Sequence, residues 1–108
     1  MCVDEKNIAM LKDLMGEDFS ALVDTFIRDS AQKIEQMNTA LQAQNAEQLR
    51  QSAHGLKGSA LNLSAAKLTD LCLTLENMGR DCDLTGADQL VKAIDAEYKA
   101  VTGYLVSA

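Results

Sequence analysis

Apolar residues recur along this chain at intervals of three and four, and that spacing predicts α-helix almost throughout. The strongest run is Phe19, Leu22, Val23, Phe26, Ile34, Met37 and Leu41, one face of a helix from about Asp18 to about Gln44. Before it, Ile8, Leu11 and Met15 line a shorter helix from Asp4 to Met15, capped by Asp4 and ended by Gly16. Asn45 followed by Gln48 resembles a capping box and opens a third helix, whose seam is Leu49, Ala53, Leu56, Ala60 and Leu63. Ser64 reads as the N-cap of a fourth, which buries Leu68, Leu71, Cys72, Leu75 and Met78 and ends between Gly79 and Cys82. Thr85 with Asp88 suggests the start of the last helix, striped by Ala87, Leu90, Val91, Ile94, Tyr98, Val101 and Leu105.

Four long amphipathic helices joined by short turns are expected to pack as an up-down-up-down antiparallel four-helix bundle. The short first helix would cover one end. The fold class is therefore all-α. Without repeats, low-complexity tracts or a linker, residues 1–108 read as a single domain.

Composition sharpens this picture. The chain is 47% hydrophobic but has only two Phe, two Tyr and no Trp, so its core is aliphatic, with five Met as adaptable filler. A net charge of -6 argues against a nucleic-acid binder, because affinity for a phosphate backbone comes from clustered Lys and Arg. No apolar run is long enough to span a membrane, and the start at Met1 lacks the basic and apolar regions of a signal peptide. A cytoplasmic location is expected. The three cysteines lack Cys-x-x-Cys spacing, and one histidine cannot complete a zinc site, so no metal is expected in this chain. Cys72 reads as a small core residue, and Cys2 and Cys82 as incidental thiols.

The chemistry concentrates around the lone histidine, in the stretch from Gln51 to Leu61. Two glycines interrupt this helix, each costing about 1 kcal/mol relative to alanine. At about 100° per residue, with the seam near 0°, His54 falls near 140°, Lys57 near 80° and Gly58 near 180°. His54 thus faces away from the core. Gly58 lies one turn on, where a larger side chain would crowd the imidazole, and Lys57 can swing its ammonium towards whatever the ring carries. A lone exposed histidine on a helix is ordinarily just a surface residue; the bare glycine and the nearby cation favour a functional reading. Gly55, near 240°, instead suits close approach of a second helix.

Glu76 lies as far beyond Ala65 as His54 lies before it, so the two face each other across the hairpin. Its carboxylate is either a solvated charge paired with Arg80 four residues on, or the acceptor of the imidazole Nδ1 hydrogen that leaves Nε2 free as nucleophile. A Gly-rich phosphate loop and a locatable Ser-His-Asp set are both missing. Such a site can hold and pass a phosphoryl group but cannot make one from ATP, so the chain reads as a carrier without autokinase activity.

Ala53-His54-Gly55-Leu56-Lys57-Gly58-Ser59-Ala60, with Leu68, Leu75-Glu76 and Gly79-Arg80 after it, resembles the histidine phosphotransfer (HPt) domains of multistep two-component phosphorelays. The resemblance extends to the helix order over nearly all of the chain. It implies that His54 accepts a phosphoryl group on Nε2 from the aspartate of a receiver domain of a hybrid histidine kinase and passes it to that of a response regulator. It further implies that Lys57 steadies the phosphoryl oxygens, Gly58 leaves room for the receiver, and Glu76 holds the other ring nitrogen. Magnesium would come with the receiver. Leu11, Met15, Leu22, Leu61 and Arg80 are the candidates for receiver docking. The family usually has Gly-Ala where this chain has Ser64-Ala65, and the turn is expected to survive the serine.

The chain also lacks the His-Glu start and following Pro of the dimerising histidine-kinase domain. With its start at Met1, it reads as a free-standing, monomeric shuttle. The competing reading is a helical adaptor that binds receivers or other regulators without being phosphorylated. Retention of His54, Lys57 and Gly58 together favours the shuttle, since an adaptor needs none of them.

Overall fold

The computed structural model describes residues 2–107, which form five helices and no strand. Met1, on which the expectation of a free-standing chain rests, lies outside them. The helices are α1 (Glu5–Met15), α2 (Asp18–Ala43), α3 (Ala46–Asn62), α4 (Ala66–Arg80) and α5 (Ala87–Ser107). α2 alone is about 39 Å long at 1.5 Å per residue, and it accounts for the 42 Å long axis of the molecule. α3 packs on α2 and α4, α5 closes against α2 and α4, and α1 touches α2. Among the described residues no helix is long and apolar enough to cross a membrane.

Local chemistry sets the helix ends. Asp4 caps α1 by accepting the Lys6 and Asn7 amides, and Gly16 ends it at φ +57°. Asn45 accepts the Gln48 amide, but the reciprocal half of a capping box is replaced: the Asn45 amide donates to the Ala40 carbonyl. Two expected caps are overturned. α4 starts after Ala65, and Ser64 sits instead in the left-handed region at φ +55°. There its carbonyl accepts the Asp4 amide and its hydroxyl accepts from Asn7 Nδ2, so it ties α1 to the α3–α4 turn. A left-handed backbone is where glycine carries no steric cost, which explains why a glycine suits this turn position. Likewise Thr85 does not cap α5: its amide donates to the Asp83 carboxylate, and the helix begins at Ala87 behind Gly86 at φ +80°.

The core follows the apolar pattern. The α3 seam from Leu49 to Leu63 is fully buried, with Phe19, Val23, Phe26, Ile34 and Met37 of α2, Leu68, Cys72 and Leu75 of α4, and Val91, Ile94 and Val101 of α5. Leu41, Leu71, Met78, Leu90 and Tyr98 are partly buried around it. Burial pushes the Cys72 thiol up to about 12, so it stays a protonated core residue at neutral pH. The Tyr98 hydroxyl reaches across to the Ile27 carbonyl at 2.9 Å.

α3 and α4 lie close together at Gly79. A Cβ there would stand 2.6 Å from the Ala46 carbonyl oxygen and 2.9 Å from Arg50 Cβ and N. These are largely backbone atoms on a packed helix and cannot step aside. Gly79→Ala is therefore expected to destabilise the fold by about 2 kcal/mol, despite alanine's better helix propensity. Chemical denaturation checks this; an unchanged or raised midpoint would mean that the two helices slide apart without cost.

Candidate functional site

His54 stands at mid-length on α3 with its side chain 65% exposed, pointing away from the core as its angle on the wheel requires. Its Nδ1 lies 2.9 Å from Glu76 Oε2, and the Glu76 side chain is only 4% exposed. Both residues sit eleven positions from Ala65, so the helical hairpin itself brings them together. Of the two readings of Glu76, the solvated charge is overturned by its burial, although Arg80 Nη2 does approach Oε2, at 3.5 Å, while Arg80 Nη1 donates to Asn77 Oδ1.

Lys57 pairs with the other oxygen of the same carboxylate. Its Nζ lies 2.7 Å from Glu76 Oε1, and its side chain is 21% exposed. The ammonium is thus turned inward onto the carboxylate rather than out towards Nε2. At that separation the ammonium and the carboxylate form a close ion pair. A carboxylate nearly buried among apolar residues is tolerable only when cations surround it. Here an ammonium and a guanidinium share that task, and the imidazole adds a hydrogen bond.

The Lys57 ammonium holds the Glu76 carboxyl below the usual carboxylate range, aided by the His54 hydrogen bond and opposed by burial. An ionised carboxylate only accepts hydrogen bonds, so Nδ1 carries the proton. In the neutral ring the lone pair is then on the exposed Nε2. A folded-state pKa below the unfolded one contributes stability that is present above the unfolded value and lost as pH falls through the folded value. The stability advantage of the wild type relative to Glu76→Gln is therefore expected to shrink as pH drops below about 4.5, the usual range for the carboxyl. Melting curves from neutral to acidic pH check this; a constant offset would remove the ionised carboxylate from the account.

The two glycines of α3 have distinct surroundings. A Cβ at Gly58 would meet nothing within 4 Å. The imidazole is therefore not crowded by a Cβ alone, and the space over Gly58 opens outward to whatever approaches His54. A Cβ at Gly55 would lie 2.9 Å from Lys33 Cε, so this glycine receives a side chain of α2. Lys33 was not legible from the wheel of α3 alone. The counting that pairs His54 with Glu76 does find it, since Lys33 and Gly55 each lie eleven residues from Gln44.

The docking candidates divide. Leu61 is 60% exposed, beside Asp4, Thr69 and Asp70. Leu22 is partly buried beside Ser59 and Asn62, while Leu11 and Met15 are partly buried against the core. The large exposed apolar residues of α1 are its Met10 and Leu14, one residue before Leu11 and Met15 respectively. Among the described residues no group of three His, Cys, Asp or Glu side chains gathers as a metal site would.

Residues 21–103 match the family model of the Hpt domain. Over 64 residues, 58% of this chain, the sequence is 36% identical to the phosphorelay intermediate protein YPD1 of Candida albicans (strain SC5314 / ATCC MYA-2876). The matched stretch spans about a third, 35%, of that relative's length. The fold is similar to the crystal structure of histidine-containing phosphotransfer protein B (HptB) from Pseudomonas aeruginosa PAO1, with a TM-score of 0.93 and 31% identity. That likeness covers 98% of this chain and 92% of the other. With most of its length in the family model and an arrangement of helices this similar, the chain belongs to the Hpt domain family.

Proposed function

We propose that this protein is a phosphorelay intermediate that carries a phosphoryl group on His54. The observation that carries the reading is the pairing of an exposed imidazole with a buried carboxylate through Nδ1, which leaves Nε2 unencumbered beside the bare Gly58. The donor is the aspartyl phosphate of a receiver domain of a hybrid sensor histidine kinase. The Nε2 lone pair attacks phosphorus, the P–O bond to the aspartate breaks, and the aspartate leaves as a carboxylate. The product ring bears a phosphoryl group on Nε2 and keeps its proton on Nδ1, so it is formally cationic. Glu76 stabilises that cation through the hydrogen bond it already makes. Reversal onto the aspartate of a response regulator returns His54 to the neutral form.

Lys57 has a second role in this reading. Rotation of its side chain away from Glu76 brings the ammonium to the phosphoryl oxygens as the ring charge takes over the pairing with the carboxylate. The magnesium used in transfer belongs to the receiver. Arg80, Leu22 and Leu61, with Leu11 and Met15 beneath the exposed Met10 and Leu14, form the docking surface. In the same reading residues 1–108 are one domain in which α2–α5 run up-down-up-down, which the packing of α2 on α3, α3 on α4, and α5 on both α2 and α4 supports. The chain works as a monomer in the cytoplasm, with no ATP site or autokinase activity and without nucleic-acid or membrane partners.

The test is an intact-mass assay of the protein mixed with a panel of phosphorylated receivers and magnesium. An acid-labile gain of one phosphoryl group supports the carrier reading and begins to identify the partner. Binding to receivers without any gain would instead favour the unphosphorylated adaptor.

A further inference from the structure

In a chain of net charge -6, the cations of α2, α3 and α4 are, with one exception, matched with carboxylates. Arg50 pairs with Glu47, Lys57 and Arg80 with Glu76, Lys67 with Glu97, and Arg28 with Asp29. Lys33 is the exception: among the described residues of α2, α3 and α4, it is the one cation with no carboxylate within 4 Å. Its position is nevertheless defined. The side chain is half-buried, and its stem lies across α3 at Gly55, the neighbour of His54. Cε occupies the space a Cβ would need, with Nζ at 3.5 Å from that same point. α3 thus has a glycine, unfavourable in a helix, where the arm of Lys33 crosses it.

We infer that Lys33 is a partner-positioning residue, a cation laid across the Gly55 slot to engage the anionic surface around the reacting aspartate of the receiver. This rests on the phosphotransfer reading above. The open space over Gly58 lies between His54 and Gly55 on the wheel of α3, so a receiver seated there approaches Lys33 on its α2 side. An aspartyl phosphate is doubly negative, and its approach supplies the counter-charge that Lys33 lacks within this chain. A cation already held against a helix loses less side-chain freedom on docking than a fully solvated lysine. Lys33 contacts the partner and takes no part in bond-making, so it governs encounter rather than the chemical step.

The test measures transfer from a phosphorylated receiver across receiver and salt concentrations, for wild type, Lys33→Met, Gly55→Ala and the double variant. Methionine keeps the apolar stem over Gly55 and deletes only the charge. Lys33→Met is expected to raise the apparent KM about fivefold with kcat nearly unchanged, and to flatten the salt dependence. Gly55→Ala displaces the flexible end of Lys33 while improving helix propensity. It should give a similar rise in KM without loss of thermal stability, and the double variant should be no worse than either single one. The lifetime of the phosphohistidine without receiver should stay the same in all four.

Wild-type KM and salt dependence in Lys33→Met would overturn the inference, leaving Lys33 a mere cover for Gly55. A fall in kcat or a shortened phosphohistidine lifetime would overturn it too, since the cation would then act on the phosphoryl group itself. If the wild type accepts no phosphoryl group from any receiver, the carrier reading fails first and this inference with it.

Discussion

His54→Gln is expected to abolish phosphoryl acceptance and to leave the fold in place. The side chain is mostly exposed, and surface substitutions of this kind usually shift stability by no more than about 0.5 kcal/mol. One contact does reach inward, the hydrogen bond to the buried Glu76, and glutamine is chosen because its amide N–H can still donate to that carboxylate. What it cannot supply is a second ring nitrogen with a free lone pair. Intact mass and melting temperature together check the prediction. Retained acid-labile phosphate would require a different acceptor, and an unfolded variant would make His54 a structural residue.

The second large effect is a divergence of stability and activity at Gly58. Beyond its own stretch of helix, nothing lies within 4 Å of a Cβ built there, and the backbone is helical, so a methyl group enters open space. Replacing a helical glycine by alanine or glutamine should raise stability by about 0.5–1 kcal/mol. The same side chain projects into the space that a receiver must fill to bring its aspartate in line with Nε2. A displacement of about 1 Å at a reacting centre costs about 10²-fold in rate, so Gly58→Gln should slow transfer by about that factor while melting higher. Gly58→Ala should fall between. Equal transfer rates across the series would show that the glycine is not there for the partner.

The three helical glycines near the site show why part of this was legible in the sequence and part was not. Gly58 and His54 share a helix, so the 100° rotation per residue places them on one open face without knowledge of any other element. Gly79 is indistinguishable from them in the sequence. That it faces the Ala46 carbonyl, and therefore cannot carry even a methyl group, depends on how closely α4 lies on α3. Gly55 reads as a place of close approach, but the arm that crosses it belongs to α2. The helix starts failed in a related way. Ser64 and Thr85 are good capping residues by type, yet the turns draw them elsewhere, Ser64 to Asp4 and Asn7 of the α1 start and Thr85 to Asp83.

The sequence by itself determined the five helices, the buried seam, the outward face of His54 and the meeting of His54 with Glu76. All of these follow from periodicities within a helix or from equal distances to a short turn, which are local rules. Tertiary structure alone decided the charge state of the site. Glu76 is buried because α4 packs there against α3, and once buried it draws the Lys57 ammonium inward, because a desolvated carboxylate must be matched by nearby cations. It also decided what crosses Gly55, since the stem of Lys33 comes from α2 and the distance between two helices is encoded in neither of them alone.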